Sequence, residues 1–309
     1  MFPRLSGVVA AAGAVALAAG ALAGCGTGAV QARPGTVLAV GAENQYANVI
    51  EQVGGRYVTV TAVESNPNTD PHSFEASPSI AGTVAAAQLV VQNGVGYDSY
   101  MGKIESASPS TSRTVIEVQK LLGLPASTAN PHLWYDPSTM PVVAAAVAGA
   151  LARLAPEHAA YFHAKARAFD TSLDPLYAEL AAFRRRFAGT PVATTEPVGD
   201  DLLAAAGTVN RTPSNLQADI MNGVDPAPQD VGIQEALLVH RGVRALVYNQ
   251  QVTDPLTESF LAAAKRAGVP VVGAYETMPT PGYDYQSWML AEVRALRAAV
   301  AEGKSTQSL

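Results

Sequence analysis

The sequence predicts an α/β protein of two lobes, each with a roughly four-stranded parallel sheet flanked by helices, joined by a long rigid linking helix. Two observations predict the sheets. Short apolar runs alternate with helical patterns through residues 36–155, and the alternation resumes over 189–309. Strands that alternate with helices argue for parallel pairing covered on both faces. A third observation predicts the link: Pro156 to Phe187 keeps a helical texture for about 30 residues, roughly 45 Å at helical rise, and Gly189 ends it. The expected division is a leader over 1–24, a tether over 25–35, lobes over 36–155 and 189–309, and the linking helix over 156–188.

Taken in order, Thr36–Ala42 is an apolar run that reads as a buried strand. Asn44–Val53 has apolar positions at helical spacing and stops at Gly54-Gly55, the glycine signal of a helix end. Val58–Val63 is a second strand. Ser77-Pro78 opens a helix to Gln88 with a hydroxyl cap and a proline at the first position. Leu89–Gln92 and Thr114–Val118 are strands, with a helix over Asp98–Glu105 between them. Pro137–Leu154 is an Ala- and Val-rich helix. Within the linking helix Pro175 demands a kink or turn. Beyond it lie strands at Pro191–Thr195, Thr208–Asn210, Val243–Tyr248 and Val269–Ala274. They alternate with helices at Val198–Ala206, Gln229–Val239 and Pro255–Arg266, and Tyr285–Ala301 closes the chain. Ligands of open α/β sheets bind beyond the carboxyl ends of the strands, and clefts between domains are favoured sites.

Asp70-Pro71-His72-Ser73-Phe74-Glu75 follows the second strand, and Asn130-Pro131-His132-Leu133-Trp134 follows the fourth. Proline fixes its own φ and drives the preceding residue towards extended structure, so each histidine sits on a stiff mount. Neutral imidazole is a common ligand of transition metals. In the second half, two strands run into glutamates: Pro191–Thr195 into Glu196, and Val269–Ala274 into Tyr275-Glu276. His72, His132, Glu196 and Glu276 are therefore the candidate metal ligands. Either glutamate could instead pair with an arginine such as Arg211. His158 and His163 lie five apart on a helix and do not share a face, and His240 ends a helix, where a cation suits the dipole; all three read as structural or exposed.

The formal net charge is −6. Arg184-Arg185-Arg186 would spread around a helix, so nucleic-acid binding gets little support. The first residues carry Arg4, then an apolar run from Val8 to Ala23, then Leu22-Ala23-Gly24-Cys25. This is the pattern of a secretory signal, and the small residues before the single cysteine resemble a bacterial lipobox. That implies cleavage before Cys25, a lipid on its thiol, and a place on the extracytoplasmic face of the cell membrane. With Cys25 used as an anchor no disulfide is available, and the core alone must hold the fold.

DPHSFEASPS, LVVQNGVGYDSY, NPHLWYDP and ATTEPVGDDLLAAAG, in that order, resemble the zinc/manganese solute-binding lipoproteins of ABC importers, the TroA-like group. The resemblance covers nearly the whole chain after the leader. It implies two lobes with a metal held between them, an ABC permease and its ATPase as partners, and a monomeric receptor rather than an enzyme. It places the first two ligands on His72 and His132 and the third on Glu196. The fourth is usually an aspartate near the last strand; here the local text offers Glu276, with Asp284 in reserve. Zinc-specific members often carry a His- and acid-rich loop before the second histidine, and Val118–Ala129 contains neither.

Two imidazoles and two carboxylates suit Zn²⁺, Mn²⁺ or Fe²⁺, and the lack of thiolates disfavours Cu(I). Against a divalent ion the set is neutral, so burial is tolerable. Both imidazoles must be unprotonated, so affinity is expected to weaken as pH falls through about 6.5. Three other readings share the pattern: a binding protein for a metal chelate (siderophore, haem or corrinoid), a metal-dependent hydrolase, and a surface adhesin or metallochaperone. The hydrolase lacks an H-E-x-x-H or G-x-S-x-G motif. A chelate cleft calls for aromatic or basic walls, and aromatics make up 6% of the chain.

Overall fold

The computed structural model describes residues 29–309 apart from Thr69, Asp70, His72, Ser73 and Thr280. Cys25 and His72 therefore lie outside the described residues. Strands β1 (Val37–Glu43), β2 (Val58–Glu64), β3 (Leu89–Gln92) and β4 (Thr114–Glu117) form one sheet in the order β2-β1-β3-β4. Strands β5 (Pro191–Thr194), β6 (Val209–Asn210), β7 (Leu246–Asn249) and β8 (Val271–Ala274) form the other, in the order β6-β5-β7-β8. Every pairing between these strands is parallel. The two sheets repeat one topology. In each, the chain moves outward from the first strand to the second, then crosses back to the other side, which makes the β1/β3 and β5/β7 seams switch points.

Helix α1 (Asn44–Gly54) leaves β1 directly, and Gly41 allows the tight exit: a Cβ there would lie 2.3 Å from the Ala47 nitrogen. Helices α2 (Pro78–Ala86) and α3 (Ser99–Ala107) follow β2 and β3. Ser77 caps α2 through a bond from the Ile80 amide, with Pro78 in the first turn, as its Ser-Pro start predicts. A single turn, α4 (Val118–Leu121), extends β4, and α5 (Thr139–Leu154) covers the sheet. The expected linking helix is two segments, α6 (Ala159–Ser172) and α7 (Asp174–Phe187), which adjoin at Leu173. Pro175 has no N–H to continue the ladder of α6, so a new helix begins there.

Beyond it come α8 (Asp200–Ala206), α9 (Ser214–Met221), α10 (Pro228–Val239), α11 (Pro255–Ala267) and α12 (Tyr285–Glu302). Helix α9 was not expected from the sequence. Helices α11 and α12 both start with capping boxes, Asp254 with Thr257 and Asp284 with Ser287, and both end at a left-handed glycine, Gly268 and Gly303. Among the described residues no helix is long and apolar enough to cross a membrane.

One apolar cluster runs through both halves. It takes Val37 and Ala39 of β1, Leu89 and Val91 of β3, much of α5 to α7, Val192 of β5, Val272 and Ala274 of β8, and the inner face of α12. Trp134 and Trp288 are fully buried within it; each such side chain contributes about 3 kcal/mol through burial. Polar ties cross between the halves at the carboxyl ends of the strands. Tyr285 Oη donates to Trp134 O (2.7 Å), and Tyr135 Oη to Tyr275 O (2.8 Å). The Asn44 side chain makes a two-way link with Met278, donating to its carbonyl (2.8 Å) and accepting from its amide (3.0 Å). The loops carrying Pro131-His132 and Tyr275-Glu276 are thereby held face to face.

Candidate metal centre

His132 is fully buried. Its backbone N–H and its ring Nδ1 both reach Asn130 Oδ1, at 3.1 and 2.7 Å. Asn130 Nδ2 in turn donates to Pro197 O at 3.0 Å, which fixes the end of the amide that carries oxygen. A carbonyl oxygen only accepts, so Nδ1 holds a hydrogen, and whenever the ring carries a single hydrogen the lone pair is on Nε2. Orientation of a ligating histidine through its other nitrogen is the usual second layer of a metal site.

Glu276 follows β8 and is also fully buried. Gln251 Oε1 accepts from the Glu276 amide (2.6 Å) and the Thr277 amide (2.8 Å) and so pins the backbone. The carboxylate is held at both oxygens. Oε1 accepts from Asn249 Nδ2 at 2.7 Å; Oε2 accepts from Tyr97 Oη at 3.0 Å and stands 3.1 Å from His132 Nε2. A lone pair on Nε2 facing a carboxylate oxygen at that distance is relieved by a proton or a cation between them. Glu196, after β5, is buried as well, and its Oε2 accepts from the same Asn249 Nδ2 at 3.3 Å. One amide thus touches both carboxylates.

The surroundings are acidic. Glu43 and Glu64 end β1 and β2 at matching register positions, and both are buried. Burial first, then Asp98 and Glu64, push the Glu43 carboxyl well above its usual range. Thr277 Oγ1 donates to Glu64 Oε1 at 3.1 Å. Burial, then Glu276, raise the Tyr97 phenol, so it stays a hydrogen donor. Tyr97 rides on a tight loop in which Val95 has φ 56, a costly backbone for a β-branched residue. Asp98 closes that loop by accepting from the Asn93 and Gly94 amides, and burial lifts its carboxyl to about 6 against those bonds.

Of the expected site residues, His132 and Glu276 are brought into contact and Glu196 is joined to them through Asn249. Among the described residues no three His, Cys, Asp or Glu side chains gather at metal-holding separation. Imidazole nitrogen and carboxylate oxygen are fitting donors for a borderline divalent cation. Asp284 sits on the surface and spends its carboxylate on the N-terminus of α12. Arg211 is exposed, whereas both glutamates are buried. His158 stacks on Tyr57 at 3.7 Å, and His163 and His240 are exposed. The residues that sequence reasoning missed are Asn130, Tyr97, Asn249 and Gln251, all polar and all near carboxyl ends of strands.

A family model described as ZnuA, zinc-uptake complex component A, periplasmic, matches residues 40–299. The chain belongs to this family. Its members are extracytoplasmic metal-binding proteins, and the chain shares 27% identity over 172 residues with the manganese-binding lipoprotein MntA of Bacillus subtilis. That match covers 53% of this chain, and the chain spans about half the length of the relative, 55%. The fold is similar to that of the periplasmic zinc-binding protein TroA from Treponema pallidum (TM-score 0.72, 19% identity, covering 87% of this chain and 100% of that one). It is also similar to the laminin-binding protein Lmb of Streptococcus agalactiae, described as bifunctional with adhesin and metal-transporting activity (TM-score 0.69, 20% identity, 86% and 99% covered). At these identities the likeness to solved structures concerns the fold.

Proposed function

We propose that the protein is a lipid-anchored receptor on the extracytoplasmic face of the cell membrane. It captures one divalent transition metal, zinc or manganese, between its two sheets and passes it to an ABC permease driven by an ATPase. It is a monomer and performs no catalysis. His72, His132, Glu196 and Glu276 hold the cargo, and the Cys25 thiol carries the lipid.

The observation that carries this reading is the approach of His132 Nε2 to Glu276 Oε2, 3.1 Å apart in a buried seam between the sheets. Each atom comes from the carboxyl end of a different sheet, which is where α/β folds place ligands. Family membership supports the cargo class, and the lipoprotein relative supports the anchor.

The test is metal content of the purified protein by mass spectrometry, followed by calorimetric titration of the stripped protein with Zn²⁺ and with Mn²⁺. One equivalent of either, bound tightly, is expected. Absence of tight binding for both removes the metal cargo. For the anchor, Cys25→Ser is expected to move the protein from the membrane fraction to the soluble one.

A further inference from the structure

We propose that the amino-end face of the first sheet, around Arg56, Tyr57, Tyr161 and Lys165, lies on the anionic headgroups of the membrane, so that the carboxyl ends of the strands point away from the bilayer. The inference rests on the lipid anchor proposed above and goes further by naming the surface that meets the lipid.

The residues before β1 fix which end of the lobe is near an anchor. Ala29 lies against α2, its Cβ 3.2 Å from where a Cβ on Gly82 would stand. The Val30 N–H donates to Thr83 Oγ1 at 2.9 Å. The Arg33 N–H donates to Thr59 Oγ1 at 3.0 Å, and the Arg33 guanidinium donates to Val58 O. Thr83 is in the last turn of α2, which leads into β3, and Val58 opens β2. These contacts are therefore at the amino ends of the strands. Cys25 is four positions before Ala29, a reach of at most about 14 Å. A lipid on Cys25 keeps this end of the lobe at the bilayer.

The same end carries a cluster of rings and cations. Tyr57 closes a single 3-10 turn, Gly55–Tyr57, between α1 and β2. Its ring stacks on His158 at 3.7 Å and meets Tyr161 edge-on at 5.0 Å. Gly55 makes room for this, since a Cβ there would lie 2.2 Å from Tyr161 Oη. The Arg56 guanidinium is 4.9 Å from the centre of the Tyr57 ring, and the Lys165 ammonium 5.9 Å from that of Tyr161. Ring packing joins the turn to α6 but leaves both charged side chains exposed. Among the described residues Arg33, Arg56 and Lys165 make no ion pair. Of the nearby acids, Glu157 stands 3.6 Å from His158 Nε2, and Glu51 is exposed one turn before Gly55.

The chain as a whole carries a net charge of −6. An anionic bilayer repels it at large, and only a locally positive face can settle there. Tyrosine rings beside Arg and Lys heads suit the membrane interface. Each of the three cations favours contact by about fivefold, and together they favour it by about 100-fold. Lys265 and Arg266 are exposed at the amino end of the other sheet. The chain reaches that end from this face only along the whole of α6 and α7, so Lys265 serves as the internal control.

The lipidated protein, expressed from the full chain, is placed in vesicles of phosphatidylglycerol with phosphatidylcholine, in vesicles of phosphatidylcholine alone, and in detergent micelles. A water-soluble amine reagent labels the lysines, and mass spectrometry reads each one. Labelling of Lys165 relative to Lys265 is expected to fall more than about fivefold in the phosphatidylglycerol vesicles. It is expected to recover at high salt, in phosphatidylcholine alone, and in an Arg56→Glu variant, which reverses one surface charge. Equal labelling of Lys165 in all three surroundings overturns the proposal and leaves the anchor standing. So does protection of Lys265 in place of Lys165, or an Arg56→Glu variant as well protected as wild type. A chain that carries no lipid and stays out of the vesicles overturns the anchor and this face together. Circular dichroism checks that the variant folds; if it does not, the wild-type comparison between the two kinds of vesicle decides.

Discussion

His132 Nε2 and Glu276 Oε2 lie 3.1 Å apart although 144 positions separate them in the chain. Neither is reachable by water, and each is fixed by a neighbour: Asn130 on the same loop for the imidazole, and Gln251 from the loop after β7 for the glutamate. On the proposed reading, a pair so placed is prearranged for a cation. His132→Ala and Glu276→Gln are each expected to lower zinc or manganese affinity by more than about 100-fold, beyond the 10–100-fold loss typical of outer-layer changes. Calorimetry gives the affinity and circular dichroism confirms the fold. Near-wild-type binding in both variants would place the site elsewhere.

Asn130 acts one step further out. Its Oδ1 takes the Nδ1 hydrogen of His132, and its Nδ2 ties the loop to Pro197 O. Asn130→Ala removes the tautomer choice without removing a ligand. Metal affinity is expected to fall by about 10–100-fold. Nitrogen NMR shifts of the imidazole should then show a mixture of tautomers in place of one. Unchanged affinity together with an unchanged tautomer would show that the Asn130 bond does not choose the tautomer.

The elements that the sequence predicted well are those with local causes. Ser77-Pro78 starts α2, Pro175 breaks the linking helix, and the Val-rich runs become strands. His132, Glu196 and Glu276 were visible because each follows a strand in a loop with proline or an isolated acid. Asn249 was not, because its strand was read as ending at Tyr248; an uncharged amide at the tip of a buried strand has no local signature. Its contacts with Glu196 and Glu276 exist only once β5, β7 and β8 lie side by side. Tyr97 was hidden for the same reason, since its partner Glu276 is 179 positions away. Asp284 shows the opposite case. An acid near the last strand resembles a ligand in sequence, but Asp-x-x-Ser before a helix is also a cap, and the cap is what forms.

Asp284→Ala tests that distinction directly. The variant loses the bonds from the Ser287 amide and hydroxyl to Asp284 Oδ1. Losing an N-cap costs about 1 kcal/mol, so chemical denaturation should show a small loss of stability. Metal affinity is expected to stay within about twofold of wild type, a difference of under ~0.5 kcal/mol. A drop of a hundredfold would return Asp284 to the ligand set.

Glu292 gives the fold a pH dependence of its own. It lies inside α12, where its Oε1 accepts from Trp288 Nε1 at 3.2 Å and stands 3.3 Å from Tyr135 Oη. Burial raises its carboxyl to about 8, against the lowering effect of the Trp288 and Tyr135 contacts. The folded protein thus keeps a proton that the unfolded chain gives up near its ordinary value of 4.5. Between those two values the native state binds more protons, so stability falls as pH rises through this window and levels off above it. The full effect is on the order of 3–5 kcal/mol. Glu292→Gln keeps an acceptor for Trp288 and cannot ionise. Denaturation at pH 5 and at pH 8 should find the variant gaining on wild type as pH rises, with most of the gain reached by pH 8. An equal difference at both pH values would mean that Glu292 is ionised in the native state throughout, and that the Tyr135–Trp288 pocket solvates the charge.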